Sequence, residues 1–202
     1  MPVKRTKEIR TAAQINSADE EGKLAVQGYA AVFNETTLIW ESPYSGYKYF
    51  ERVDPKAFEG ADMSDVCFKY NHQDIAMVLA RTRNKTLTLA TDEHGLSIRA
   101  EIAQTTTGRD VYELIRRGDL DKMSFAFTVE KEQVEYDDKE KICTRTILKF
   151  DKIFDVAVVD FPAYDGTEIS TVEARGAEYF QEMEEKMKQQ EARKKLLLRT
   201  YL

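Results

Sequence analysis

Apolar and polar residues alternate with a period of two through most of the middle of the chain, the period of a half-buried β-strand. Residues 23–35, KLAVQGYAAVFNE, form an apolar run ending in an Asn-Glu turn. Residues 64–72, SDVCFKYNH, alternate with Val66, Phe68, Tyr70 and His72 on one face. Residues 85–103 read as two alternating runs joined by a turn at 92–95, hence a hairpin. Residues 123–150 have the same form, with 136–139 at the tip, and 151–164 read as a final strand stopped by Pro162. In DLDKMSFAFTVE, residues 119–130, Met123, Phe125, Phe127 and Val129 share the face that suits a core. The opposite face carries Ser124, Ala126, Thr128 and Glu130, a stripe of small and partly polar residues that either meets solvent or leaves room beside Ser124.

Helical signals interrupt this pattern twice. In DPKAFEGA, Asp54 is a candidate N-cap and Pro55 a candidate first helical residue, so a short helix is expected to start there. TTTGRDVYELIRRGD has a Thr cap near 106–107, with Val111, Leu114 and Ile115 on one face. Arg116 and Arg117 lie in its last turn and Gly118 ends it. From about Thr171 onward the pattern changes to a Pro-free, mixed-charge helix, in which Phe180, Met183, Met187 and Gln190 form an irregular heptad stripe. Such a helix either docks on the domain or projects as an interaction arm.

The expectation is a mainly β fold with inserted helices, of the α+β class. Six or more strands at this spacing predict an antiparallel, closed or nearly closed barrel, followed by a C-terminal helix. The domain boundaries expected are 1–170 for the β-barrel domain and 171–202 for the helical tail.

Composition narrows the function. A chain of 202 residues with 42% hydrophobic content and ten each of Tyr and Phe can bury a real core. A net charge of −6 gives no electrostatic footprint for nucleic acid. Cys67 and Cys143 have no metal-ligand spacing and are expected as free thiols of an intracellular protein. The N-terminus is basic without a following apolar run, so no secretory signal is expected. No segment approaches the roughly 18 apolar residues of a membrane span, so a soluble, cytoplasmic protein with no membrane partner is expected.

Candidate chemistry centres on few residues. His94 lies at a hairpin tip, where a solvated role is expected, whereas His72 ends an alternating strand, either as a plain strand-end residue or as a general base. A serine nucleophile needs such a base, and the base needs a third group to hold its tautomer. Ser124 and His72 both belong to strands of one β domain. IFDVAVVDFPAY offers two acids of opposite parity, Asp155 beside Ala157 and Val159, and Asp160 beside Val156 and Val158. A carboxylate inside an apolar strand demands a partner, which an imidazole N–H would provide, although an exposed face of an antiparallel sheet would also accommodate Asp155. A metal held by His72 and Asp74, with His94, is a weaker alternative, because no helical HExxH spacing occurs. Neither a phosphate-binding glycine loop nor a GxSxG elbow is present.

Five segments, taken in order, resemble one family. They are VQGYAAVFNE, FERVDPKAFEGA, FKYNHQD, DEHGLSIRAEIAQTTTGRDVYELIRRGDLDKMSFAFTV and FDVAVVDFPAYDGT. Together they are similar to the tailed-phage prohead proteases, the capsid maturation proteases, whose fold is similar to that of herpesvirus assemblins. The resemblance spans residues 24–168. It implies a serine endopeptidase that needs no cofactor or metal. Its partners would be the major capsid protein or a scaffold protein, cleaved inside the assembling prohead in the host cytoplasm, and the protease often cleaves itself. An oligomer, dimer or higher, and loss or degradation of the enzyme on maturation are expected with it.

By the same resemblance the histidine of the family's NH segment falls on His72, its nucleophile on Ser124 and its acidic position on Asp155, with Asp160 second. Ala126 stands where Gly is commoner, and Asp155 where Glu is commoner. The competing reading keeps the fold without the chemistry, as a non-enzymatic module that binds scaffold during capsid assembly.

Overall fold

The computed structural model describes residues 7–18, 22–73, 78–160 and 171–200, with the side chains of all of these except 11–14, 171–176, 191 and 194–200. Its strands are β1 (Glu8–Ala18), β2 (Ala25–Val32), β3 (Thr37–Glu41), β4 (Lys48–Val53), β5 (Cys67–Tyr70), β6 (Ala80–Arg81), β7 (Leu87–Thr91), β8 (Gly95–Glu101), β9 (Lys122–Asp137) and β10 (Ile142–Val159). Two helices, α1 (Thr106–Arg117) and α2 (Thr171–Thr200), complete the fold.

The sheet is open, and the predicted barrel does not form. Strands follow the order β3-β4-β10-β9-β1-β2-β8-β7, with β5 and β6 branching from β10. Two features prevent closure. The ribbon of β9 and β10 is long, so the far edge of β10 is shared by two parallel neighbours, β4 along Ile142–Ile147 and β5 along Asp155–Val158. The branch then ends in β6, two residues long, which runs into a 3-10 turn at Thr82–Asn84 before β7 begins. Among the described residues no ladder joins β3 or β6 to β7, so the edges remain apart. The two parallel ladders also make the sheet mixed rather than purely antiparallel.

The long hairpin and the strand expected after it merge, since residues 142–159 form the single strand β10, bent by register shifts against β9 between 147 and 155. Alternation places Met123, Phe125 and Phe127 in the main core with Phe150, Ile153, Val156 and Val158 of β10 and Phe68 of β5. Helix α1 closes this core with Val111 and Ile115. It is capped by the Thr105 hydroxyl, which accepts from Gly108 N–H at 3.0 Å, and it ends at Gly118, whose φ of +82° few other residues adopt. The predicted helix at DPKAFEGA is instead a series of hydrogen-bonded turns. The Ala57 carbonyl accepts from Phe150 N–H at 2.8 Å, so it is diverted to the sheet just where a helix would use it.

The C-terminal helix is present, and its middle docks on the sheet. Phe180 is fully buried against Tyr49 and Cys143, with Tyr179 and Met183 beside it. The Ser42 hydroxyl donates to Glu184 at 2.9 Å. Residues 185–190 are exposed, although Met187 Sδ accepts from the Tyr136 hydroxyl at 3.6 Å and the Lys188 ammonium stands 4.7 Å from the Tyr44 ring. Among the described residues no helix is long and apolar enough to cross a membrane. Pro162, offered as a strand stop, lies outside the described residues.

Candidate active site

Strand β10 runs between β9 and β5, and this arrangement gathers the candidate residues on one face. Ala157 of β10 is in register with Ser124 of β9 and Lys69 of β5. Asp155, two residues earlier and therefore on the same face, is in register with Ala126 and Cys67. The shared parity of Asp155 with the small stripe of Ser124 is thus a feature of the sheet.

His72 reaches this face by breaking the alternation. Continued strand geometry would put it with Phe68 and Tyr70, which point toward the core. Asn71 and His72 instead adopt left-handed backbone conformations, with φ of +50° and +54°. Asn tolerates this region better than most residues, and a left-handed His is uncommon. The turn is held by the Asn71 N–H donating to Val158 at 3.0 Å and the Gln73 N–H donating to Tyr70 at 3.1 Å. As a result the imidazole swings onto the face that carries Lys69, Asp155 and Ser124.

There the ring lies between the other two groups. His72 Nε2 is 2.7 Å from Ser124 Oγ. His72 Nδ1 is hydrogen-bonded to Asp155 Oδ1. Lys7 donates to the other oxygen of Asp155 at 3.0 Å, and the Lys69 ammonium stands 3.9 Å from it. Burial alone would raise the Asp155 pKa, but the hydrogen bond and charge of His72, followed by the charge of Lys7, hold the carboxyl below the ordinary aspartate range. An ionised Asp155 fixes the proton of a neutral imidazole on Nδ1 and leaves Nε2 free to accept. The chemistry available to this arrangement is proton transfer from the serine hydroxyl to His72.

Ser124 is fully buried, so the small stripe does not meet solvent. Its hydroxyl also lies 2.9 Å from the carbonyl oxygen of Arg10, as donor. One hydroxyl proton serves one acceptor at a time, so His72 Nε2 and the Arg10 carbonyl compete for it. Lys7 and Arg10, in a stretch crowded with charge, have no sequence signal that would have joined them to the site. Strands β1, β3 and β4 also carry no clean alternation of the kind that marked the others.

The remaining candidates lie elsewhere. The Asp160 carboxylate, in the turn after β10, accepts from Tyr70 at 3.2 Å. His94 is exposed at the β7–β8 tip, edge-on to Tyr29. Asp74 lies outside the described residues, and among those described no group of three or more His, Cys, Asp or Glu side chains could hold a metal ion. Cys67 and Cys143 are free thiols, and burial pushes the Cys143 thiol up to about 11.

Beyond the serine lies a buried ionic network. Arg145, 1% exposed, donates to Glu8 at 2.5 and 2.9 Å, to Glu51 at 2.9 Å and to Glu132 at 2.5 and 2.7 Å. Arg10 makes a two-pronged contact with Glu51 at 2.6 and 2.8 Å and also bonds Glu8 at 2.8 Å. Tyr179 of α2 covers the network, with its ring 3.8 Å from the Arg145 guanidinium and its hydroxyl donating to Glu132 at 2.6 Å. Burial would raise the Glu8 carboxyl, but Arg145 and then Arg10 hold it below its ordinary range.

Against known proteins, the family model described as caudovirus prohead serine protease matches residues 11–183. No curated protein and no solved structure matches the chain.

Proposed function

This chain belongs to the caudovirus prohead serine protease family, and we propose that it is an endopeptidase of capsid maturation in which Ser124 is the nucleophile, His72 the general base and Asp155 the group that orients His72. The observation that carries this reading is the chain of contacts from Asp155 through both nitrogens of His72 to Ser124 Oγ. In the proposed reaction Ser124 Oγ attacks the scissile carbonyl while His72 Nε2 takes its proton. The resulting imidazolium is stabilised by Asp155 and returns the proton to the leaving amine. Water, activated by the same nitrogen, then hydrolyses the acyl-enzyme and restores the hydroxyl.

The substrates are the scaffold, or a scaffold-like part of the major capsid protein, inside the assembling prohead in the host cytoplasm, with the protease itself a further substrate. Residues 1–170 form the protease unit and 171–202 a tail that docks by its middle and offers residues 185–190 to capsid or scaffold helices. The exposure of residues 185–190 supports that role for the tail.

Co-expression with the capsid and scaffold proteins of the same phage tests the reading. Mass analysis should find capsid or scaffold fragments with the wild-type chain and none with Ser124→Ala. Normal processing by the Ser124→Ala variant would exclude Ser124 as the nucleophile, and no processing even by the wild-type chain would favour a binding module.

A further inference from the structure

The serine is shielded by the chain's own N-terminal strand. Residues Glu8–Thr11 pair with Ser124–Phe127 of β9, and β2 pairs with β1 only from Ile15 onward. The register shift between Thr11 and Gln14 separates these halves. The first half is therefore an extended segment laid along the strand that carries Ser124. Main-chain pairing to a strand edge, with side-chain pockets supplying selectivity, is a general way for a sheet to take a peptide.

Two contacts fix how the segment lies. The Arg10 carbonyl oxygen is the one that accepts from Ser124 Oγ, so the Arg10–Thr11 peptide bond faces the hydroxyl. The Arg10 side chain, itself 5% exposed, is gripped by both oxygens of Glu51, which is 4% exposed. Bidentate geometry of this kind suits the planar guanidinium better than an ammonium. Were Glu8 and Arg10 to leave, Arg145 would be shared between the buried carboxylate of Glu51 and the solvent-exposed carboxylate of Glu132. Glu51 would keep one contact to Arg145 but lose its two-pronged guanidinium partner, which leaves a buried carboxylate with an unfilled place for a second cation.

We infer that Glu8–Thr11 occupies the place of a substrate strand, and that Glu51 is the specificity-determining residue, selecting arginine, and lysine less well, on the acyl side of the cleaved bond. This rests on Ser124 being the nucleophile. It also identifies Arg10–Thr11 as the bond that the chain presents to itself.

The test uses the full-length chain and two peptidyl diphenyl phosphonates, one with an arginine-type and one with a glutamate-type side chain next to phosphorus. In each, Ser124 Oγ bonds to phosphorus as its proton passes to His72 and phenoxide departs. Adduct formation at Ser124 is followed by mass spectrometry. The arginine probe should react at least about tenfold faster, the scale expected of a charged, buried hydrogen-bonded contact. Glu51→Gln should reduce the ratio of the two rates about tenfold, and Glu51→Asp should largely keep it. The ratio is insensitive to how much of a variant is folded. Equal rates, a faster glutamate probe, no reaction with either, or an unchanged ratio in Glu51→Gln would overturn the inference. Ser124-dependent cleavage in the co-expression experiment would leave the protease reading standing in all of those cases.

Discussion

His72 Nε2 and Ser124 Oγ lie 2.7 Å apart although 52 residues separate them in the chain. The contact depends on two left-handed residues, Asn71 and His72, which turn the imidazole away from the core face that strand alternation would give it. Asp155, on the strand between them, completes the row. The geometry thus comes from β10 being flanked by β5 on one side and β9 on the other.

Asp155→Asn should keep the fold and lower the rate of substrate cleavage by a factor on the order of 10³ to 10⁴, because an amide stabilises neither the required tautomer nor the imidazolium. Initial rates on a purified capsid substrate measure this. A loss under tenfold would remove Asp155 from its orienting role.

The same carboxylate should appear in the acid stability of the protein. Its pKa is lowered in the folded state, so its contribution is present above the ordinary aspartate value, about pH 4, and is lost as pH falls below that through the lowered folded value. Urea midpoints of the wild type and Asp155→Asn should therefore differ most near neutrality and converge in acid. A gap that widens on acidification would contradict the shift.

Arg145→Met should destabilise the protein by about 3–5 kcal/mol, since it leaves Glu8, Glu51 and Glu132 facing one another with Arg10 as the remaining guanidinium of the network. Adding Glu8→Leu should recover part of that loss. Urea unfolding of the two variants checks both statements.

Phe180→Ala should cost about 3–5 kcal/mol, the usual range for a fully buried phenylalanine, if α2 is docked in solution as described. Met187→Ala, at an exposed position on the same helix, should change stability by less than about 0.5 kcal/mol. Similar effects at the two positions would contradict the docking.

Much of the site was legible in the sequence because strand parity is a local property. The large face of Met123, Phe125 and Phe127 and the small face of Ser124 and Ala126 follow directly from a period of two, and so does the placing of Asp155 on the small face. Parity failed at His72, where positive φ values reset the direction of the side chain. It also gave no account of closure, because strand count does not reveal that β10 has two neighbours on one edge or that β6 is two residues long. Residues 7–11 were hidden for a different reason: nothing in the pattern of Lys7, Glu8 and Arg10 marks them, and only the three-dimensional pairing with Arg145 and Glu51 explains the burial of Glu8 and Arg10, and that with Asp155 the place of the exposed Lys7.

The most direct measurement is labelling by a small fluorophosphonate, with the modified residue located by mass spectrometry. The account predicts a single adduct on Ser124 of the wild-type chain, with labelling at least about 100-fold slower in His72→Ala, because the hydroxyl is a weak nucleophile without its base. An adduct on another residue, or equal labelling of Ser124 without His72, would contradict it.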